Sequence, residues 1–455
     1  MTTTETRQKP HGLALATLCA AQFLVALDFS VMYVALPTIG SDLNLSDAAA
    51  QWVVSAYAVF FAGLLLVGGR LTDRLGARNV FVASFLLFGL ASLVGGFAPN
   101  GEVLLGARAA QGAAAALLQP SVLGLLSATF DGENRKRAVS VWGAVGASGL
   151  ALGVILGGVL TALDWRWTFL INLPFVAAGI AGALVAFRSV DAHRSQERIP
   201  VTGAVLGTAS LLTAVFALTI VAEPTPNLVL GGAAFVAFVV AGVLFLRHER
   251  GPTPLIERAL RQVRSIRLGA AATALYMASV GSEFYLVTLL LQQAHGYSPL
   301  QAGFGFLPLA VMVTIGNIVA GRLISRLPVE RVLLVGFIIG AGGLLLLAIT
   351  GRADYAYGVL PGLLISGFGH GIIYTSMFAL GTAEVPAGLE GGAGALLTTS
   401  QYLSSSVTVA VLTIVLTVVE GDAAFTVAFL VTAACAVAGL GVAWAASRAK
   451  VGVVS

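Results

Sequence analysis

Charged side chains are scarce in this 455-residue chain. Asp, Glu, Lys and Arg make up 10% of the residues, 58% are hydrophobic, and the mean hydropathy is +0.93. A soluble domain carries about 25% charged residues, so this chain has too few to cover a water-facing surface. The composition excludes a soluble globular protein and predicts a polytopic membrane protein.

Cysteine is nearly absent. Cys19 and Cys435 both lie in apolar runs, which indicates neither a disulfide framework nor a metal site. The chain also lacks the phosphate loop G-x-x-x-x-G-K-[ST] and the hydrolase motifs H-E-x-x-H and G-x-S-x-G. These absences argue against ATP-driven transport and against an enzyme. The net charge of +4 does not indicate a nucleic-acid partner, because the arginines lie mostly in loops.

Long apolar runs dominate the chain instead, and a helix that spans the bilayer needs about 20 consecutive apolar residues. The 54 glycines suit close helix packing in lipid. Fourteen runs qualify: 13–36, 50–68, 80–98, 102–128, 138–162, 167–187, 202–222, 228–246, 268–292, 300–322, 332–350, 357–380, 392–419 and 423–446.

The basic residues predict the orientation of these spans. If the N-terminus is cytoplasmic, all but three of the 25 Lys and Arg residues fall in cytoplasmic loops or tails. The exceptions are Arg166 and Arg352 in outer loops and Arg108 within a span. Cytoplasmic loops carry an excess of Lys and Arg, so we expect both termini in the cytoplasm. The rarity of lysine is typical of GC-rich bacteria, and we expect a multi-pass protein of the bacterial inner membrane.

A basic loop, GRLTDRLGARN at 69–79, joins the second and third spans. It resembles the signature loop of the major facilitator superfamily, G-x-L-x-D-R-x-G-R. The matching residues are Gly69, Leu71, Asp73, Arg74, Gly76 and Arg78. We expect both glycines to provide tight turns. The resemblance implies that Gly69, Asp73, Arg74, Gly76 and Arg78 form a cytoplasmic gating loop.

The chain also repeats with a shift of 252 residues, which aligns Ser46 with Ser298 and GRLTDRL at Gly69 with GRLISRL at Gly321. Transporters built from two related halves place their site at the midplane between the halves. The fold expected is all-α, with two six-helix pseudo-symmetric halves plus two extra central helices. The predicted parts are an N-terminal half (1–198), the extra helices (199–250), a cytoplasmic linker (251–267) and a C-terminal half (268–455).

Asp28 lies inside the first span, in the string LDFSVMYVALPTI. An acid inside the membrane is a functional hypothesis by default, and desolvation favours its protonated form. The alternative is a hydrated structural acid near the outer end of the helix. The string resembles the motif L-D-x-T-V-x-N-V-A-L-P of the fourteen-helix drug:H+ antiporters, with Ser30 and Tyr33 in place of Thr and Asn.

Arg108 is the only base inside a span, and Gln111 and Gly112 follow it in the pattern R-x-x-Q-G. Arginine stays charged at any relevant pH, so it needs an acid or a wet cavity. The pattern resembles the family's helix-four motif, which implies a role in proton coupling. A purely structural ion pair is the alternative.

Glu283, in the ninth span, is the second deep acid. It lies 15 residues before Ser298, whereas Asp28 lies 18 before Ser46, so both acids can project from similar faces of repeat-related helices. We expect Glu283 to act as a second site for a proton or a substrate cation.

Glycines follow one face of the fifth span and predict tight helix packing. This run resembles the antiporter motif G-x-x-x-G-P-x-x-G-G, although Val154 occupies the proline position. The antiporter-like glycines are Gly149, Gly153, Gly157 and Gly158.

Other polar residues within the spans are candidates for a substrate cavity. His370 is a possible proton carrier, although a lone histidine on an apolar face is more often a packed hydrogen-bonding residue. The predicted lining is Gln22, Asp28, Tyr57, Gln111, Glu283, Gln292, Asn317, His370, Gln401 and Tyr402.

The resemblance implies a proton-coupled secondary transporter that exports lipophilic, cationic drugs or a natural product by alternating access. Asp28, Arg108 and Glu283 are the expected proton-coupling residues. The expected partners are a small lipophilic molecule, protons and the bilayer, with the proton gradient as energy source, no cofactor or metal, and a monomeric state. Two alternatives remain: an importer or facilitator of a metabolite, and a membrane sensor or scaffold that transports nothing.

Overall fold

In the computed structural model, every long element is a helix. The structure describes residues 11–188, 201–222, 226–252, 254–256, 258–385, 389–419, 421 and 423–451, and at some helical positions, such as Asp73, it describes the backbone alone. The helices are α1 (His11–Asp42), α2 (Asp47–Leu75), α3 (Ala77–Gly96), α4 (Gly101–Thr129), α5 (Gly132–Leu163), α6 (Trp167–Leu170), α7 (Asn172–Ala186), α8 (Val201–Ala222), α9 (Leu228–Glu249), α10 (Arg258–Gln262), α11 (Arg264–Leu289), α12 (Pro299–Gly305), α13 (Leu307–Ile324), α14 (Val329–Thr350), α15 (Leu360–Thr382), α16 (Glu390–Val418) and α17 (Ala423–Val451). Two π-helical turns, Leu290–Ala294 and Tyr355–Val359, continue α11 and precede α15.

Each of the fourteen predicted spans falls on a helical segment. Within the described residues, thirteen segments are long and apolar enough to cross a membrane. Helix α5 covers the remaining span, and its stretch Leu152–Leu163 is apolar. The tenth span is broken between α12 and α13, where Pro308 lies in the first turn of α13. Proline is tolerated there because it lacks only an N–H that the helix does not use.

The two serines that the repeat aligns are the N-cap residues of equivalent helices. Ser46 Oγ accepts a hydrogen bond of 3.2 Å from the amide of Ala49 at the start of α2. Ser298 Oγ accepts one of 3.3 Å from Gln301 at the start of α12. Because the first amides of a helix lack partners within it, serine is favoured at this position. The matching caps support the 252-residue repeat.

The turn between α2 and α3 depends on one glycine. Gly76 has a φ of 87° and ends α2, a conformation that glycine adopts without steric cost. The prediction that Gly69 also provides a turn is wrong, because α2 continues in helical conformation to Leu75. An apolar span does not reveal how far its helix extends into polar sequence.

Helices α1–α7 pack together as an N-terminal bundle, and α11–α17 pack together as a C-terminal bundle. The bundles meet where α2 packs against α16 and α5 packs against α12 and α13, with α1 touching α11 and α12. The extra helices α8 and α9 pair with each other, and α8 contacts both α2 and α16. Helix α8 therefore lies along the boundary between the bundles.

In the described part of the predicted cytoplasmic linker, 251–267, several residues form hydrogen bonds to one carboxylate. Glu249, at the end of α9, accepts hydrogen bonds from the amides of Leu255 at 2.6 Å and Ile256 at 3.2 Å. Arg261 on α10 donates to the same carboxylate at 2.6 Å. Helix α11 then begins at Arg264, within the predicted linker.

Candidate functional site

Asp28 and Arg108 form an ion pair inside the N-terminal bundle. Arg108 Nη1, on α4, donates to Asp28 Oδ2, on α1, at 2.7 Å, and both side chains are completely buried. A buried arginine without an acid would carry a large desolvation cost. Arg108 Nε also donates to the carbonyl oxygen of Val53 on α2 at 2.8 Å. The guanidinium therefore connects three helices.

Neutral polar side chains complete this cluster. Gln111 accepts from Arg108 at 2.8 Å and donates to Asp28 Oδ1 at 3.1 Å. Asn172 Nδ2, at the start of α7, donates to the same oxygen at 2.8 Å. Ser92 Oγ on α3 accepts from both Gln111 and Asn172, at 2.9 and 3.2 Å. Both oxygens of the carboxylate are thus occupied by groups of the same bundle.

The sequence analysis did not select Ser92 or Asn172. Asn172 lies in the polar string DWRWTFLINLP and could have been noticed as an amide inside a span. Ser92 carries no such signal, because an isolated serine in a helix usually bonds to the preceding turn of backbone. Only the packing of α3 against α4 and α7 brings this serine to the two amides that bond to Asp28.

Glu283 and His370 form a second buried pair inside the C-terminal bundle. His370 Nε2, on α15, lies 2.7 Å from Glu283 Oε2 on α11, and Ser366 Oγ donates to Glu283 Oε1 at 2.5 Å. The two paired side chains are at most 1% exposed. Ser366 and His370 are four residues apart and therefore share one face of α15. The structure brings together two residues that the sequence analysis treated separately.

Seven aromatic rings form a chain of contacts across the boundary between the bundles, which we term the aromatic seam. In order of contact they are Phe306, Phe284, Tyr33, Phe29, Tyr402, Phe61 and Tyr57. The sequence analysis selected only Tyr57 and Tyr402. The i, i+4 spacing of Phe29 with Tyr33, and of Tyr57 with Phe61, was the signal for a ring-lined helix face.

Within the seam, rings of the two bundles contact each other across the boundary at short distances. Phe61 and Phe29 lie 4.2 and 5.1 Å from Tyr402 between centroids, and Tyr33 stacks on Phe284 at 6.0 Å. At one end, the guanidinium carbon of Arg108 lies 4.5 Å from the centroid of the Tyr57 ring. The chain of rings therefore reaches the buried ion pair.

The other predicted cavity residues are dispersed. Gln22 accepts from Gln119 of α4 at 2.8 Å, within the N-terminal bundle. Asn317 accepts from Thr375 of α15 at 3.0 Å, within the C-terminal bundle. Gln292 does cross the boundary, because its Nε2 donates to the carbonyl of Val34 on α1 at 2.9 Å. Gln401 lies on α16, with its Nε2 at 3.9 Å from the sulfur of Met277.

The antiporter-like glycines allow α5 to approach two helices closely. A Cβ at Gly149 would lie 3.0 Å from the carbonyl oxygen of Phe23 on α1. A Cβ at Gly153 or at Gly157 would also meet atoms of α1. A Cβ at Gly158 would lie 2.7 Å from the carbonyl oxygen of Pro299 on α12, in the opposite bundle. Three of these glycines thus serve packing within the N-terminal bundle, and Gly158 serves the contact between bundles.

The predicted gating loop is separate from both buried pairs. Arg74 lines a cavity of about 460 Å³ between α2, α3 and α4, whose other walls are mainly apolar. Arg78 is half-buried, and its Nε is enclosed without a hydrogen-bond partner among the described residues. The side chain of Asp73 lies outside the described part of the structure.

A family model described as the Major Facilitator Superfamily matches residues 18–409. The chain is 35% identical to the puromycin resistance protein of Streptomyces alboniger, over 89% of this chain and 81% of that protein. It is 37% identical to the cephamycin export protein of Amycolatopsis lactamdurans (88% and 84%). It is 30% identical to the tetracenomycin C resistance and export protein of Streptomyces glaucescens (92% and 81%).

Among solved structures, the crystal structure of a peptide transporter in complex with sulfate superposes with a TM-score of 0.69. The superposition covers 96% of this chain and 94% of that chain, at 16% sequence identity. At that identity the likeness concerns the fold alone.

Proposed function

The chain belongs to the Major Facilitator Superfamily, and we propose that it exports a lipophilic small molecule in exchange for protons. The family and the relatives make it a multi-pass bacterial membrane transport protein, not an enzyme. Relatives that export or confer resistance to antibiotics support efflux as its direction. Family members generally need no cofactor, and we propose the proton gradient as the energy source.

The buried Asp28–Arg108 pair is the observation that carries this proposal. Protonation of Asp28 would remove the counter-ion of a guanidinium that cannot itself release a proton. Breaking a buried ion pair from one side costs about 3–5 kcal/mol. One proton moving down 100 mV releases about 2.3 kcal/mol, and a tenfold pH gradient adds about 1.4 kcal/mol. The available drive therefore matches the energy needed to rearrange the pair.

We propose that this rearrangement takes place at the hydrogen bonds that Arg108, on α4, makes to two other helices. Its Nη1 contacts α1 and its Nε contacts α2, at the carbonyl of Val53. When Asp28 becomes neutral, its attraction for the guanidinium weakens, and we propose that the guanidinium shifts towards its other acceptors, Gln111 and Val53. That shift changes how α1 and α2 sit against α4, and both α1 and α2 line the boundary with the other bundle.

Glu283 and His370 are proposed as a second proton site, in the C-terminal half. An imidazole and a carboxyl group can each bind and release a proton. The pair can therefore hold one proton, as an ion pair or as two neutral groups, or release it and leave the Glu283 carboxylate beside a neutral imidazole. Glu283 lies on α11, which contacts both α1 and α16. Tyr33 and Ser405 lie on those two helices, and their hydroxyls meet across the boundary at 3.4 Å.

Alternating access is proposed to occur by rocking of the two halves, 1–198 and 268–455, with the extra helices 199–250 alongside and the linker 251–267 between them. If both termini are in the cytoplasm, two contacts between the bundles lie towards the outer side of the membrane. They are the contact of Gly158 with Pro299 and the hydrogen bond from Gln292 to Val34. We propose that both must open before the substrate is released outside. In the cytoplasm, Asp73, Arg74 and Arg78 are proposed to latch the inner gate.

The test is proton movement in vesicles that contain the purified protein and carry an imposed pH gradient. Addition of ethidium should trigger proton flux in the wild type and in Asp42→Asn, but not in Asp28→Asn. Asp42 is the matched control, because it lies on the same helix in a largely exposed pair with Arg166. Flux that persists in Asp28→Asn would contradict a coupling role for Asp28, and net ethidium movement in the same direction as the protons would contradict export in exchange for protons.

A further inference from the structure

The cavity of about 460 Å³ between α2, α3 and α4 has no role in the transport mechanism proposed above. Its volume lies within the range of about 300–1,000 Å³ that is usual for small-molecule sites. We propose that it binds an anionic phospholipid of the cytoplasmic leaflet. The headgroup phosphate would lie at Arg74, and one acyl chain would lie along the apolar walls. This lipid site is separate from the buried pairs and from export.

Positive charge is concentrated at the mouth of the cavity. Among the described residues that line it, Arg74 is the only charged one, and it is exposed. Arg70 and Arg78 lie four residues on either side of Arg74. Asp73 is the only acid in the same loop, 69–79. Because a guanidinium group binds phosphate oxygens through paired, charge-assisted hydrogen bonds, this mouth favours an anionic headgroup.

The mouth of the cavity lies at the end of two membrane spans. The span of α2 ends at Thr72 and the span of α3 begins at Ala77, so Arg74 lies at the membrane surface. Asn79 also lines the cavity and donates from Nδ2 to the carbonyl of Leu75 at 3.1 Å. An amide has two N–H donors, so Asn79 can still donate to a ligand. With this loop in the cytoplasm, both groups face the leaflet that carries anionic lipids, where basic pockets between helices bind their headgroups.

Apolar side chains form most of the cavity and continue along the outside of α3. The walls are Leu71 on α2, Val80 on α3 and Leu117 on α4. Ala83 lines the cavity and is exposed, and Leu87 and Leu90, four and seven residues further on, are exposed as well. These three positions share one face of the helix. An acyl chain can therefore leave the cavity and follow α3 into the bilayer.

The 252-residue repeat supplies matched controls in the C-terminal half. Arg326 is the counterpart of Arg74, and Val335 is the counterpart of Ala83. Both counterparts are exposed. Next to Val335, α15 approaches α14 so closely that a Cβ at Gly336 would lie 2.9 Å from side chains of α15. Arg326 and Val335 therefore provide the same charge and a similar apolar surface on helices that are in close contact.

Native mass spectrometry of the purified full-length protein, which counts the lipids bound to each molecule, tests the proposal. The probes are phosphatidylglycerol, phosphatidylcholine with the same acyl chains, and glycerophosphoglycerol, which is the anionic headgroup without chains. The wild type should bind phosphatidylglycerol about fivefold more tightly than phosphatidylcholine, the order expected for one arginine near an anionic headgroup. Glycerophosphoglycerol should not displace the lipid, because it leaves the apolar walls uncovered.

Two substitutions separate the headgroup from the chain. Arg74→Gln should abolish the preference for phosphatidylglycerol, whereas Arg74→Lys should keep most of it because the charge remains. Ala83→Phe, which adds a ring to the cavity wall, should weaken the binding of both lipids. Arg326→Gln and Val335→Phe should bind both lipids as the wild type does.

Equal affinity of the wild type for the two lipids would overturn the proposal. Equal losses in Arg74→Gln and Arg326→Gln would overturn it too, since they would indicate attraction to surface charge in general. Unchanged binding in Ala83→Phe would contradict the placement of the chain in the cavity, and displacement by glycerophosphoglycerol would show that the site takes a soluble phosphate ester. None of these results bears on export, which is measured by proton flux that depends on Asp28.

Discussion

Asp28 in the N-terminal bundle is paired with a permanent cation, whereas Glu283 in the C-terminal bundle is paired with a histidine. Asp28 also accepts from amides on α4 and α7, so three helices are tied together through its carboxylate. Glu283 is tied to α15 alone, through His370 and Ser366. The two repeat-related helices thus carry an acid each, but only the first acid is built into a network that spans its bundle.

This difference predicts different pH responses. The guanidinium of Arg108 does not titrate, so only the carboxylate can change the charge of the first pair. In the second pair both members can exchange protons. We expect the first pair to move helices when it is protonated, and the second pair to set the pH range in which transport is fast.

The largest effect is expected from Arg108→Met. It leaves the Asp28 carboxylate buried without a cation, and removal of one member of a buried pair costs about 3–5 kcal/mol. The free energy of unfolding in detergent should fall by that order, and proton-coupled efflux should be lost. Glu283→Gln, which neutralises the acid of the second pair, should cost less. Equal losses of stability in both variants would contradict the proposed contrast.

The double variant Asp28→Asn, Arg108→Met separates stability from coupling. Replacement of both members of a buried pair is often neutral or stabilising, so the unfolding free energy should recover towards that of the wild type. Proton-coupled efflux should remain absent, since neither residue can then bind or sense a proton. Recovery of coupled efflux would show that the pair is structural only.

An intermediate effect is expected from His370→Gln. The amide can still donate to Glu283, so the loss of stability should stay near the about 1–3 kcal/mol of a disturbed buried hydrogen bond. The transport rate should depend less steeply on pH than in the wild type, because a glutamine side chain cannot bind a proton. The measurement is efflux from vesicles over a series of pH values. His295→Gln is the control, since His295 lies in the loop before α12 and contacts the carbonyl of Gly351.

The smallest effect is expected from Tyr57→Phe. The ring keeps its contacts with Phe61 and with the guanidinium of Arg108, and Oη has no partner to lose among the described residues. The free energy of unfolding should not fall, because the substitution removes a buried hydroxyl that has no partner to lose. Proton coupling should persist, whereas Tyr57→Leu should impair it. Loss of coupling in Tyr57→Phe would assign the role to the hydroxyl and not to the ring.

The number and type of membrane spans could be read from sequence because hydrophobicity is a local property. A run of about 20 apolar residues predicts a spanning helix whatever surrounds it. Asp28, Arg108 and Glu283 were predictable for the same reason, since an ionisable residue inside an apolar run is conspicuous. The error at Gly69 marks the limit of this reasoning, because the end of a helix depends on backbone conformation at Gly76 and not on hydropathy.

Composition and spacing were therefore enough to predict an all-helical membrane protein with two acids and one base inside its spans, and the family resemblance of its motifs added transport. They could not establish that Asp28 meets Asn172 and Arg108, or that Glu283 meets His370. Those partners are 80 or more residues apart along the chain, and only the packing of helices brings them within hydrogen-bond distance. The aromatic seam is of the same kind, because a ring on one helix joins this chain of contacts only when the opposite bundle supplies its neighbour.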